Sequence, residues 1–193
     1  AGTNECFILK LDKAAGDIFW ATYFGALLSE TLRGIAISEN TLDPKLVIAG
    51  TTASNIRSTI STTCAANATG AFPLCQDPTA SSYFQDTAFL QTTGFIAEFN
   101  LTTQQLQWST YFGGEGMDII EDVTIVDPTE FTGGIYITGH TSTGKIPSNT
   151  TSPLPAQRDG SFPLSDPLGG LDYFQNLQGP SRTGFVSKFN RKH

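Results

Sequence analysis

Four carboxylates, Glu115, Asp118, Glu121 and Asp122, follow the Gly113-Gly114 pair within one short loop. Hard oxygen ligands on a glycine-containing turn are the chemistry of Ca²⁺ binding. Their spacing departs from an EF-hand, and an equivalent segment earlier in the chain offers only Glu30 at the position of Asp118. The competing reading is a solvated acidic loop, with room for one helical turn between Glu115 and Asp122. His140 stands alone, without a second ligand at metal spacing. Ser142 lies nearby, but no Gly-x-Ser-x-Gly elbow accompanies it. Neither Gly113-Gly114 nor Gly169-Gly170 leads into a Lys-Ser/Thr helix start, so neither is a phosphate loop. No two acidic positions recur as a pair suited to glycoside hydrolysis. No catalytic residue is assigned, and the expectation is a non-enzymatic protein without a resident cofactor.

Two further residue classes carry covalent chemistry. Cys64 and Cys75 share one long connection, and Ser165 replaces Cys75 in the second copy of that connection. Two cysteines that vanish together read as a disulfide, the alternative being two buried free thiols. Cys6 is left over, free or bonded to another chain. Asn67, Asn100 and Asn149 each begin an Asn-x-Ser/Thr sequon in an expected loop or turn. With the disulfide they point to an extracellular or cell-surface location, and the start at Ala1 reads as a chain whose leader has been removed.

These residues hang on a repeat. Gly94 to Gly114 reads GFIAEFNLTTQQLQWSTYFGG, Cys6 to Gly25 reads CFILKLDKAAGDIFWATYFG, and Gly184 to Asn190 reads GFVSKFN. Phe7, Phe95 and Phe185 stand 88 and 90 residues apart. A period of this length decides the architecture. Short β-branched and aromatic runs bounded by turn residues predict strands, not helices. The fold class is therefore all-β, with two propeller-like repeats of about 88–90 residues and the first strand of a third. Repeat 1 spans 1–93, with strands at 6–12, 17–24, 33–39 and 45–52 and a long loop at 53–93. Repeat 2 spans 94–183, with strands at 94–100, 106–113, 121–127 and 134–141 and a long loop at 142–183. Residues 184–193 open the third unit. The long loops share Phe72-Pro-Leu with Phe162-Pro-Leu and Tyr83-Phe-Gln with Tyr173-Phe-Gln, so they belong to the repeat. Trp20 and Trp108 recur at one strand position and read as packing elements.

The strings Gly94-Phe-Ile-Ala-Glu-Phe-Asn100, Trp108-Ser-Thr-Tyr-Phe-Gly-Gly114 and Ile135-Tyr-Ile-Thr-Gly-His-Thr141 resemble the bacterial and archaeal beta-propeller repeat known as the SBBP repeat. The resemblance covers nearly the whole chain twice. The first copy departs from it at Ala26, which stands where Gly114 does, and at Leu27-Leu28. It implies four-stranded blades in a surface or secreted protein and carries no catalytic residues with it.

Composition narrows the partners. The 193 residues carry a formal charge of −7 and only 15% charged residues. No basic cluster exceeds Arg191-Lys192, which argues against nucleic acid. No run of about 18 apolar residues is present to span a membrane. In the phase the resemblance implies, the strands at 33–39, 45–52, 94–100 and 106–113 form one whole blade. Half a blade then precedes it, and a blade lacking its last strand follows. Open edges recruit further strands. The expected function is a structural subunit of a surface fibre, layer or adhesive appendage, joined head-to-tail to copies of itself. The expected assembly strands carry Cys6, Phe7, Leu9 and Leu11 at one end and Gly184, Phe185 and Phe189 at the other. The second reading is a glycan- or protein-binding module using loops 53–93 and 142–183.

Overall fold

The structure is a computed structural model that describes residues 4–14, 16–38, 40–55, 64, 70–76, 83–89, 92–126, 133–144, 159–164 and 181–190. The sequons at Asn67 and Asn149 lie outside these residues, as do Ser165 and Tyr173-Phe-Gln175. The described residues are all-β. Nine strands run in order: β1 (Cys6–Leu11), β2 (Ile18–Phe24), β3 (Glu30–Ile37), β4 (Lys45–Thr52), β5 (Thr93–Asn100), β6 (Gln105–Phe112), β7 (Asp118–Val126), β8 (Gly134–Thr141) and β9 (Thr183–Phe189).

They form three antiparallel sheets: β1-β2, then β3-β4-β5-β6, then β7-β8-β9, hereafter sheets 1, 2 and 3. Each sheet is a meander, so every strand pairs with its neighbour in sequence. The sheets cut across the sequence repeat, because β3 and β4 of the first copy pair with β5 and β6 of the second. The two, four and three strands are the grouping that the shifted phase requires.

Sheet 2 is the middle layer. Along β4 the side chains alternate between two cores, Leu46 and Ile48 on one face, Val47 and Ala49 on the other. The first core joins Cys6, Ile8 and Phe24 of sheet 1 to Phe95, Phe99 and Tyr111 of sheet 2. The second joins Ile96, Trp108 and Phe112 of sheet 2 to Ile120, Val123, Ile135 and Ile137 of sheet 3. A strand buried on both faces reads as a continuous apolar run, and LVIAG in β4 is that run. Gly34 allows β7 to cross β3 closely. A Cβ there would lie 2.7 Å from the backbone nitrogen of Val123.

Two boundaries differ from the sequence expectation. β3 and β7 begin at Glu30 and Asp118, three residues early, and the segment from Asp118 is strand rather than a helical turn. Both leading carboxylates are buried, so residues that look like loop polars are the first rungs of the sheet.

The β1–β2 and β5–β6 turns are alike. Gly16 and Gln104 occupy the same place and both take the left-handed conformation, with φ of 73° and 59°. A non-glycine residue there costs about 1 kcal/mol. Gln104→Gly should therefore raise the unfolding free energy by about 0.5–1 kcal/mol, measured as a shift of the urea midpoint with an unchanged slope.

Candidate assembly surfaces

The repeat builds one polar device twice. Glu30 Oε1 accepts hydrogen bonds from Thr52 Oγ1 at 2.7 Å and Ser54 Oγ at 2.6 Å, while Oε2 accepts one from the Ala26 amide at 3.1 Å. Asp118 repeats this. Thr141 Oγ1 donates to Oδ1, Thr143 Oγ1 donates to it at 3.0 Å, and the Gly114 amide donates to Oδ2 at 2.7 Å. Each carboxylate ties the first residue of a sheet's leading strand to the end of the strand beside it. Asp118 is thereby occupied by hydroxyls and an amide. Burial pushes its carboxyl above the usual carboxylate range, and the bonds from Thr141, Gly114 and Thr143 pull the other way. The remaining three acids of the expected calcium group point elsewhere. Glu121 lies 3.0 Å from Arg33 and 3.5 Å from Nδ1 of His140, and Glu115 and Asp122 are exposed. Among the described residues no three His, Cys, Asp or Glu side chains come together in a metal-holding group.

The outer edge of sheet 2 is covered by the connection between β4 and β5. Cys75 and Ser109 exchange backbone bonds of 3.2 and 2.9 Å. Ser109 Oγ donates to Pro73 O, and the Tyr111 amide donates to Gln85 O at 3.2 Å. Gln85 is wholly buried, and its Oε1 accepts from Tyr83 Oη at 2.7 Å and from the Gly113 amide at 3.3 Å. The disulfide Cys64–Cys75, with Cα atoms 5.1 Å apart, fastens the connection in place. It fits an oxidising compartment.

The end sheets are covered less well. Among the described residues, β1 has a ladder partner only in β2, and β9 only in β8. The face of sheet 1 turned away from sheet 2 carries Phe7, Leu9, Leu11, Phe19 and Tyr23, with Phe7 66% and Tyr23 79% exposed. On sheet 2, Ile35 and Ile37 are 59% and 61% exposed. They pair with Ile48 and Leu46 and so face the same way as the first core. Sheet 1 reaches the start of β3, where Leu32 packs against the first core, and leaves Ile35 and Ile37 uncovered. On sheet 3 the outward face carries Val186, 75% exposed, among the polar residues Thr124, Thr138 and Lys188.

The residues expected at the assembly strands are thus placed differently from one another. Phe7, Leu9 and Leu11 are outward and exposed, and Gly184 is exposed at the β9 edge. Phe185 and Phe189 point inward, each 5.5 Å from the Phe112 ring. Cys6 is a free, buried thiol. Burial, with the Glu30 charge adding to it, pushes its pKa up to about 11. Asn100 holds the β5–β6 turn, accepting from the Thr102 and Thr103 amides at 2.8 and 2.9 Å and donating to Asp43 at 2.9 Å. Trp108 is buried and donates to Tyr83 O at 3.0 Å. Sequence reasoning missed Tyr23, Ile35, Ile37 and Val186. The signal was present: Tyr111, Val123, Ile125 and Ile96 hold the same places in other copies and are covered. Comparison with known proteins found no matching family model and no matching curated sequence.

Asp118→Ala leaves two hydroxyls and an amide without their buried acceptor and should cost about 3 kcal/mol. Asp118→Asn tests the sign of the titration. A folded-state pKa above the unfolded value means that the folded chain binds the proton more tightly, so this group favours folding as pH falls toward the ordinary carboxylate range. The stability advantage of the native protein over Asp118→Asn should grow from neutral pH to about pH 4, measured by denaturant titration at each pH.

Proposed function

We propose that the protein is an extracellular structural subunit, built from propeller-like repeats of SBBP type, that assembles with copies of itself head-to-tail into a fibre, layer or adhesive appendage. One observation carries the reading. A complete four-stranded sheet is flanked by sheets of two and three strands, and apolar side chains lie bare where further strands would sit. An edge of unpaired amides and carbonyls beside such a patch is a template for another strand. Burying a large apolar side chain stabilises a contact by about 1.5–3 kcal/mol, so covering Tyr23, Ile35, Ile37 and Val186 supports association. A contact between opposite ends of the chain is heterologous and produces a ring or a filament.

The loop-recognition reading has less support. The described parts of loop 53–93 are spent on structure: Phe72, Leu74 and Phe84 are in the first core, and Cys75 and Gln85 cover β6. No catalytic step is part of this proposal. The disulfide and the sequons support an extracellular site.

Light scattering with negative-stain imaging at physiological salt should show particles many times the 20.7 kDa of the chain, with a regular repeat. A compact particle of single-chain mass would sink the proposal. Tyr23→Lys alters only an exposed face, so it should leave the melting temperature within about 2 °C while dispersing the particles.

A further inference from the structure

Resting on that assembly, we infer which strand fills the open edge: β9 of one copy takes the place of β1 beside β2 of the next. The strands β7, β8 and β9 with the neighbour's β2 then make a four-stranded sheet like sheet 2.

The first ground is register. β1 and β5 carry one sequence pattern, and each pairs with a Trp-x-Thr-Tyr-Phe strand in one register. Phe7 faces Tyr23 as Phe95 faces Tyr111, and Ile8 faces Thr22 as Ile96 faces Thr110. Even the irregularity recurs, between Lys10 and Leu11 and between Glu98 and Phe99. β9, reading TGFVSKF, is the third strand of this pattern, and among the described residues it has no Trp-x-Thr-Tyr-Phe strand beside it.

The second ground is an aromatic set with one member short. Phe72 packs against three rings, Phe24 at 5.5 Å, Phe95 at 5.3 Å and Tyr111 at 5.0 Å. Phe162 is its counterpart. It packs against Phe112 at 5.3 Å and Phe185 at 5.1 Å, which match Phe24 and Phe95. The ring that would match Tyr111 belongs to the strand beside β9. On β2 that residue is Tyr23, the most exposed aromatic of sheet 1.

The third ground is what exchange covers. Val186 would enter the place that Ile8 holds in the first core. The neighbour's Ile35 and Ile37 would lie beneath β7 and β8, as Val123 and Ile125 of sheet 3 lie against sheet 2. Simple addition of sheet 1 to the β9 edge would give five strands and leave these residues bare. Exchange gives four, and it releases β1 together with Cys6.

The test mixes proteins with one introduced cysteine each, all carrying Cys6→Ala and the intact Cys64–Cys75 disulfide, and oxidises them after assembly. Paired strand residues lie within disulfide range. Thr22→Cys with Val186→Cys should cross-link, and Leu9→Cys with Val186→Cys should not. In the protein with its native Cys6, a maleimide should label that thiol at least about tenfold faster in particles than in the dispersed Tyr23→Lys chain. Particles that cross-link through Leu9→Cys, or that keep Cys6 protected, overturn exchange and leave assembly standing. Single-chain particles overturn both.

Discussion

The structure depends on the middle sheet being apolar on both faces. A β-sheet with Val47, Ala49 and Ile96 on one side and Ile48, Phe95 and Phe99 on the other is stable only between two other layers. That requirement sets the order of the molecule. Sheet 1 covers one face and sheet 3 the other, and each covering sheet brings a further face of its own. The two ends meet this differently. Sheet 3 turns Thr124, Thr138 and Lys188 outward, with Val186 among them. Sheet 1 turns Phe7, Leu9 and Tyr23 outward. The outward face of sheet 1 is therefore the more apolar of the two, and the outward face of sheet 3 the more polar.

The long connection solves a separate problem. A four-stranded sheet in the middle of a stack still has edges, and β6 would present a row of unpaired groups. The turn through Cys75 and the Tyr83-Phe-Gln85 segment answer those groups one at a time. Gln85 supplies a backbone acceptor to Tyr111, a side-chain acceptor to Gly113, and a donor to Thr87 O at 2.7 Å.

Much of this was legible in the residues. The 88-residue offset, the alternation in FILKL and GFIAEF and the paired loss of two cysteines identified the nine strands and the disulfide, while their grouping into sheets came from the resemblance to the SBBP repeat. The starts of β3 and β7 were not legible. Glu30 and Asp118 are charged residues after a turn, and nothing local reveals that hydroxyls from another strand will bury them. The bare residues were hidden for a related reason. Alternation tells which residues share a face of β3, but coverage of that face depends on how many strands the adjoining sheet contains. Ile35 and Val123 have the same local pattern and opposite surroundings.

The disulfide between Cys64 and Cys75 has a consequence in time. It closes a loop of 11 residues around the segment that shields β6. Before oxidation that shield rests on its hydrogen bonds to β6 and on the burial of Phe72, Leu74 and Phe84, and it opens and closes by local fluctuation. Afterwards it is fixed. The chain is thus most exposed to unwanted pairing at β6 while its thiols are reduced. Oxidation holds that side of sheet 2 closed, while β3 at its other side has no second ladder partner among the described residues.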